Sequence, residues 1–136
     1  SLASAVEKTG VAEFIGSLAH HADAMPPLFL VVVITGAVIL LTEMTSNAAT
    51  TATLLPILAA LAPGRGLHPY VLILPATIAA SCAFMMPVAT PPNAIVFGSG
   101  EVQIRHMVKA GIWLNLVGVI VISALTMLWF RHLFGI

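Results

Sequence analysis

The sequence predicts an all-α integral membrane protein: a re-entrant helical hairpin, a broken transmembrane helix and one intact transmembrane helix. Three observations carry that prediction. The 136-residue chain is 60% hydrophobic and only 7% charged, whereas soluble domains carry about 25% charged residues. Two apolar runs, at 28–41 and 54–61, are each shorter than the roughly 20 residues a spanning helix needs, and they flank a polar knot at 42–51. A second polar interruption, Thr90-Pro91-Pro92-Asn93, falls inside a third apolar stretch.

Charge and cysteine content narrow the field. The formal net charge is zero, so nothing favours nucleic acid or an acidic partner. Cys82 is the single cysteine, which excludes a disulfide framework and a cysteine-rich metal site. The start Ser1-Leu2-Ala3 lacks a methionine, and Lys8 follows a weakly apolar stretch where a signal peptide would need it to precede one. A fragment of a longer protein is expected.

Residues 1–25 read as an amphipathic helix lying at the membrane interface. Val11, Phe14, Ile15 and Leu18 share one face, while Glu7, Lys8, Glu13, His20 and His21 interrupt any span. Residues 26–62 read as the hairpin, opened by Pro26-Pro27 at a helix's first turn. Its first arm, 28–44, is roughly 25 Å long and its second, 48–62, roughly 22 Å. A single kinked span over 27–61 would be roughly 52 Å, well beyond the bilayer core, and would bury Glu43 near its middle. The hairpin is the better reading.

Pro63-Gly64-Arg65-Gly66-Leu67-His68-Pro69 is a loop. Residues 70–100 read as a discontinuous transmembrane helix, broken at 89–93. Prolines there donate no N–H, and the residue before a proline is pushed out of the helical region. Residues 101–109 read as a charged loop, and 110–132 as the intact span. Its apolar part, 110–130, is roughly 31 Å of helix with Trp113 and Trp129 as interface anchors. Arg105, His106 and Lys109 make the 101–109 loop the cytoplasmic candidate, with the hairpin base on the opposite side.

Helix breaks at membrane depth expose N–H groups at one end and carbonyls at the other. The former attract anions and the latter coordinate small cations, an arrangement used by secondary transporters. Ser46, Asn47 and Thr50 at the tip, with Thr90 and Asn93 at the Pro-Pro break, add neutral oxygens and amides. Neither stretch contains Arg or Lys, so a buried anion there needs a cation beside it. Na⁺ with an oxyanion fits that donor set.

Thr45-Ser46-Asn47-Ala48-Ala49-Thr50, followed by Leu54-Leu55-Pro56 and then by Ala89-Thr90-Pro91-Pro92-Asn93-Ala94-Ile95, resembles the C-terminal repeat of the divalent anion:sodium symporter family. Its members carry dicarboxylates, citrate or sulfate. The resemblance implies half of an inverted-repeat transporter. The chain's partners would be the N-terminal repeat of the same protein, a second copy in a homodimer, the lipid bilayer and a small anion. It implies symport with Na⁺ as coupling ion, no organic cofactor, an elevator motion, and a place in the bacterial inner membrane. It places Na⁺ at Thr42, Thr45, Asn47 and Ala89, several through backbone carbonyls. Substrate falls to Ser46, Asn47 and Ala48 and to Thr90, Pro91 and Asn93. The third tip position, Thr in the family's commonest motif, is Ala48 here, which leaves the anion's identity open.

Plainer readings stand beside these. Ser46-Asn47 also reads, as the lesser alternative, as a satisfied turn between two core helices, and Asn115 as interhelical glue. Glu43 is either a coupling site for a proton or cation, or a side chain held by nearby hydroxyls and backbone N–H groups. With Glu43 titrating, the alternative is an anion/proton antiporter of the same architecture; a further one is a non-catalytic assembly subunit. An enzyme is not expected: there is no HExxH, no Gly-x-Ser-x-Gly and no convincing Asp pair. The five histidines form no i, i+4 pair.

Overall fold

The computed structural model describes residues 25–130 and 132. The interfacial helix expected over 1–25 lies almost wholly outside the described residues. Those described are helical, with no strand among them. Helix α1 is Pro27–Thr42, α2 is Asn47–Gly64, α3 is Tyr70–Ala79, α4 is Pro91–Gly98 and α5 is Ile104–Leu125, which continues as a π-helical turn Thr126–Phe130.

Local chemistry sets these boundaries. Pro27 occupies the first turn of α1, where its missing N–H costs nothing. The chain leaves α1 through a turn in which the Met44 and Thr45 N–H groups both donate to Leu41 O at 3.2 Å. Helix α2 then restarts on Ser46, whose hydroxyl accepts from the Ala49 N–H at 3.4 Å. Helix α4 restarts the same way on Thr90, which accepts from the Asn93 N–H at 3.4 Å. Thr90 sits at φ −142°, ψ 153°, the extended conformation a following proline imposes. Both restarts are thus hydroxyl-capped helix N-termini.

α1 and α2 form a helical hairpin. Its base is tied where the Arg65 guanidinium donates to Met25 O at 2.8 Å. Helix α3 packs against α1, α2 and α5, and its Ala76 and Ala79, with Ala80 just beyond, are almost fully buried. Small side chains let backbones come close where lipid supplies no hydrophobic drive between helices. Leu30, Val31, Val38 and Ile39 of α1, Leu58 and Ala62 of α2 and Ile122 of α5 complete the core. Helix α5 crosses α1 at glycines: a methyl on Gly118 would lie 3.6 Å from Ile39 Cδ1, and one on Gly36 3.9 Å from Val119 Cγ2.

The outer faces are apolar as well. Leu28, Phe29, Val33 and Leu40 of α1 and Trp113, Val117, Ile120 and Val121 of α5 are all exposed. A helix apolar all round belongs in lipid or inside a larger assembly. Among the described residues one helix, Ile104–Trp129, is long and apolar enough to cross a membrane, at 26 residues with mean hydropathy 2.1.

Two boundaries differ from the sequence expectation. The third apolar stretch was expected to stay helical up to the Pro-Pro pair, but α3 ends at Ala79 and helix resumes only at Pro91. Within the stretch between them, the amides of 84–86 are taken by a side chain from elsewhere, described below. The last helix begins at Ile104, so Arg105, His106 and Lys109 lie on its first turns rather than in a loop. There they are partly or fully exposed, which lets charged side chains stay solvated on a helix longer than the bilayer core is thick.

Candidate functional site

The hairpin tip meets the unwound segment at 80–90. Between them lies an open recess of about 560 Å³. Ser46, Asn47 and Ala48 form one wall; Val88, Ala89, Thr90, Pro91 and Ala94 form the other. The N-terminal turns of α2 and α4 both border it, so two positive dipole ends approach one volume; the N–H groups come from the first turn of α2, because Pro91 and Pro92 have none and the Asn93 N–H is taken by Thr90. That is a setting for a small anion.

Beside it sits a knot of oxygens. The Thr42 hydroxyl, fully buried, lies 2.5 Å from Asn47 Oδ1 and 2.9 Å from Ala80 O. A hydroxyl has one proton and these are two acceptors. Three oxygens therefore share one hydrogen at the C-terminal ends of α1 and α3, where carbonyl dipoles converge as well. An acceptor surplus of this kind suits a small hard cation. Among the described residues no group of His, Cys, Asp and Glu is placed to hold a metal ion, so neutral oxygens are the available ligands.

The residues singled out in the sequence are placed as follows. Ser46, Asn47, Ala48, Thr90 and Pro91 all line the recess. Asn93 is not among its lining residues: its Nδ2 donates to Ala83 O at 3.0 Å and Met86 O at 3.1 Å, holding the unwound segment. Of Thr42, Thr45, Asn47 and Ala89, the first and third are in contact and Ala89 faces Asn47 across the recess. The Thr45 hydroxyl points elsewhere, donating to Leu41 O at 2.8 Å and lying 2.6 Å from Thr50 Oγ1. Both threonines line a separate shallow groove with Leu41 and Ala49.

Glu43 is 3% exposed and does not line the recess. Its Oε1 accepts from the Phe84 N–H at 2.8 Å and the Met85 N–H at 2.9 Å; its Oε2 accepts from Met85 at 3.1 Å and Met86 at 2.9 Å. Asn115 Nδ2 donates to Oε1 at 2.8 Å. Every partner is a donor, the complement of an acceptor-only carboxylate. Bonded in this way, these amides are not available to a helix continuing from α3. Gly111, one turn before Asn115, was not singled out in the sequence. A methyl there would lie 2.6 Å from Met85 Cα and Phe84 O, so only glycine lets α5 lie against this segment. Gly111 with Asn115 at i+4 is one helix face, and that spacing is the signal the sequence offered.

Two helix N-termini thus meet at an open recess in an apolar helical chain, an arrangement of the class that membrane transporters use. The family described as sodium:sulfate symporter transmembrane region matches residues 1–136, and the chain belongs to that family, one of symporters and not of enzymes. It is 46% identical over 122 residues to the sodium-dependent dicarboxylate transporter SdcS of Staphylococcus saprophyticus, covering 90% of this chain and 24% of that protein. The SdcS protein of Staphylococcus aureus strain USA300 matches with the same identity and coverage. The chain thus spans about a quarter of the length of these curated relatives. The two polar motifs had carried the same resemblance.

Proposed function

We propose that this chain is the C-terminal part of a sodium-coupled symporter for a small divalent or trivalent anion, a dicarboxylate foremost, in the bacterial inner membrane. The observation that carries the reading is the oxygen knot at Thr42, Asn47 and Ala80 beside a recess fed by two helix N-termini. Cation and anion seats adjoin, and each neutralises the other's charge. The relatives' names, sodium-dependent dicarboxylate transporters, support both halves of the reading.

On this reading Thr42, Asn47 and the backbone at Thr45 and Ala89 hold the sodium ion. The Thr45 hydroxyl, engaged with Leu41 O, leaves its backbone as the contributing part. Ser46, Asn47 and, at the start of α4, the Thr90 hydroxyl receive the anion's oxygens, with Pro91, which has no donor, lining the seat. Asn47 serves both, its amide having an acceptor and two donors, and so couples the two occupancies. Ala48 contributes no hydroxyl, which removes one hydrogen bond, on the order of 1 kcal/mol, from any anion seated there. The N-terminal repeat of the same protein supplies the facing wall. The hairpin is re-entrant, and the unit moves as the mobile part of an elevator in a homodimer.

The test is uptake of labelled succinate, citrate and sulfate into vesicles holding the full-length protein, with Na⁺ or K⁺ outside. Uptake of at least one anion is expected to require Na⁺, and Asn47→Ala to abolish it. Equal uptake in the two salts sinks the sodium claim; undiminished uptake by Asn47→Ala sinks the site.

A further inference from the structure

We propose that Glu43 is a positioning residue: its carboxylate clamps the hairpin tip to the unwound segment at 84–86 and thereby sets the spacing of the recess's two walls. The side chain touches neither the recess nor the oxygen knot, yet it stands between them in the chain. Thr42 of the knot precedes it directly, and Ser46 of the recess follows three residues on. On the other side, Met86 is two residues from Val88, where the opposite wall begins. With at most about 3.6 Å of reach per residue, neither wall moves far while the clamp holds.

The clamped segment is pinned from both edges. Glu43 takes the amide N–H groups of Phe84, Met85 and Met86. Asn93, on the first turn of α4, donates to the carbonyls of Ala83 and Met86 that bracket them. The carboxylate also governs Asn115. Its Nδ2 faces Glu43, while its buried Oδ1 has no partner among the described residues. Turning the amide over would set two acceptors face to face, so the bond to Glu43 decides the orientation. Three elements, α1, the unwound segment and α5, therefore meet on one side chain. A residue that only filled space would not need donors from two separate parts of the chain.

The transport readout of this proposal rests on the function proposed above; the exchange readout does not. The experiment is amide hydrogen exchange and uptake on the full-length protein carrying Glu43→Gln. Exchange at 84–86 is expected to speed up by about tenfold or more, the scale of losing hydrogen bonds to a charged acceptor, with α3 and α5 unchanged. Half-saturating concentrations of anion and sodium ion are expected to rise together by about tenfold, whereas a merely structural role would lower the amount of active protein and leave them unmoved. Unchanged exchange at 84–86, acceleration spread evenly over α3 and α5, or unmoved half-saturation overturns the proposal. Should Glu43→Gln not insert, Asn115→Ala decides: faster exchange at Phe84 and Met85 supports the clamp, and unchanged exchange overturns it. A wild-type protein without sodium-dependent uptake would refute the function and leave the exchange result to judge the clamp.

Discussion

At the scale of single residues, the oxygens gathered beside the recess are uncharged. Thr42 is the clearest case. It is buried, has one proton, and has two oxygens within 3 Å of its own. Thr42→Val keeps the shape and removes the hydroxyl. We expect it to raise the half-saturating sodium concentration by about tenfold, the order of one lost bond to a charged group, and Thr42→Ser to stay within about threefold of wild type. A sodium titration of uptake checks both. The threonines of the tip were legible in the sequence as a group, because hydroxyls at membrane depth need a reason. Their division into two faces was not legible. Thr42 turns towards Asn47 and Thr45 towards Thr50, and that follows from the three-dimensional course of the tip, which side-chain type alone does not reveal.

Among elements, the informative contact is between α5 and a stretch that is not helical at all. Gly111 lies against Phe84 and Met85, and Asn115 on the same face of α5 bonds the Glu43 carboxylate that holds them. In an unpacked helix Gly→Ala would gain about 1 kcal/mol of propensity. Here the added methyl would meet backbone atoms at 2.6 Å, and backbone cannot swing aside. Gly111→Ala is expected to destabilise by about 2–3 kcal/mol net and to lower the thermal midpoint of the purified full-length protein, measured by thermal unfolding in detergent. An unchanged midpoint would show that α5 and the segment are not in register as described. The sequence foretold that a helix breaks before Pro91, since prolines announce themselves. It did not foretell that the break opens at Ala80. Within 80–90 the amides of 84–86 bond a carboxylate 41 residues earlier in the chain than the first of them, and no local pattern records so distant a partner.

For the molecule as a whole, the described residues wall the recess from two segments, and the helices around it are apolar outside as well as in. The chain also spans about a quarter of the length of its curated relatives. On the proposed reading, in which an N-terminal repeat completes the site, residues 1–136 and that repeat expressed as two separate polypeptides are each expected to give no sodium-dependent uptake. Together in one membrane they should restore a measurable fraction of it. Uptake by either piece alone would show that the site is complete without the other. The all-helical, membrane-embedded class was readable from composition, and the two polar motifs from their spacing. How the motifs meet was written in contacts between distant parts of the chain. Much of what meets is main chain: amide groups of 84–86 on Glu43, the carbonyl of Ala80 on Thr42, the first turns of α2 and α4 at the recess. Every residue type except proline carries the amide that Glu43 grips. Phe84, Met85 and Met86 are therefore free to drift in identity over evolutionary time, so far as this grip is concerned, while Glu43 itself is not.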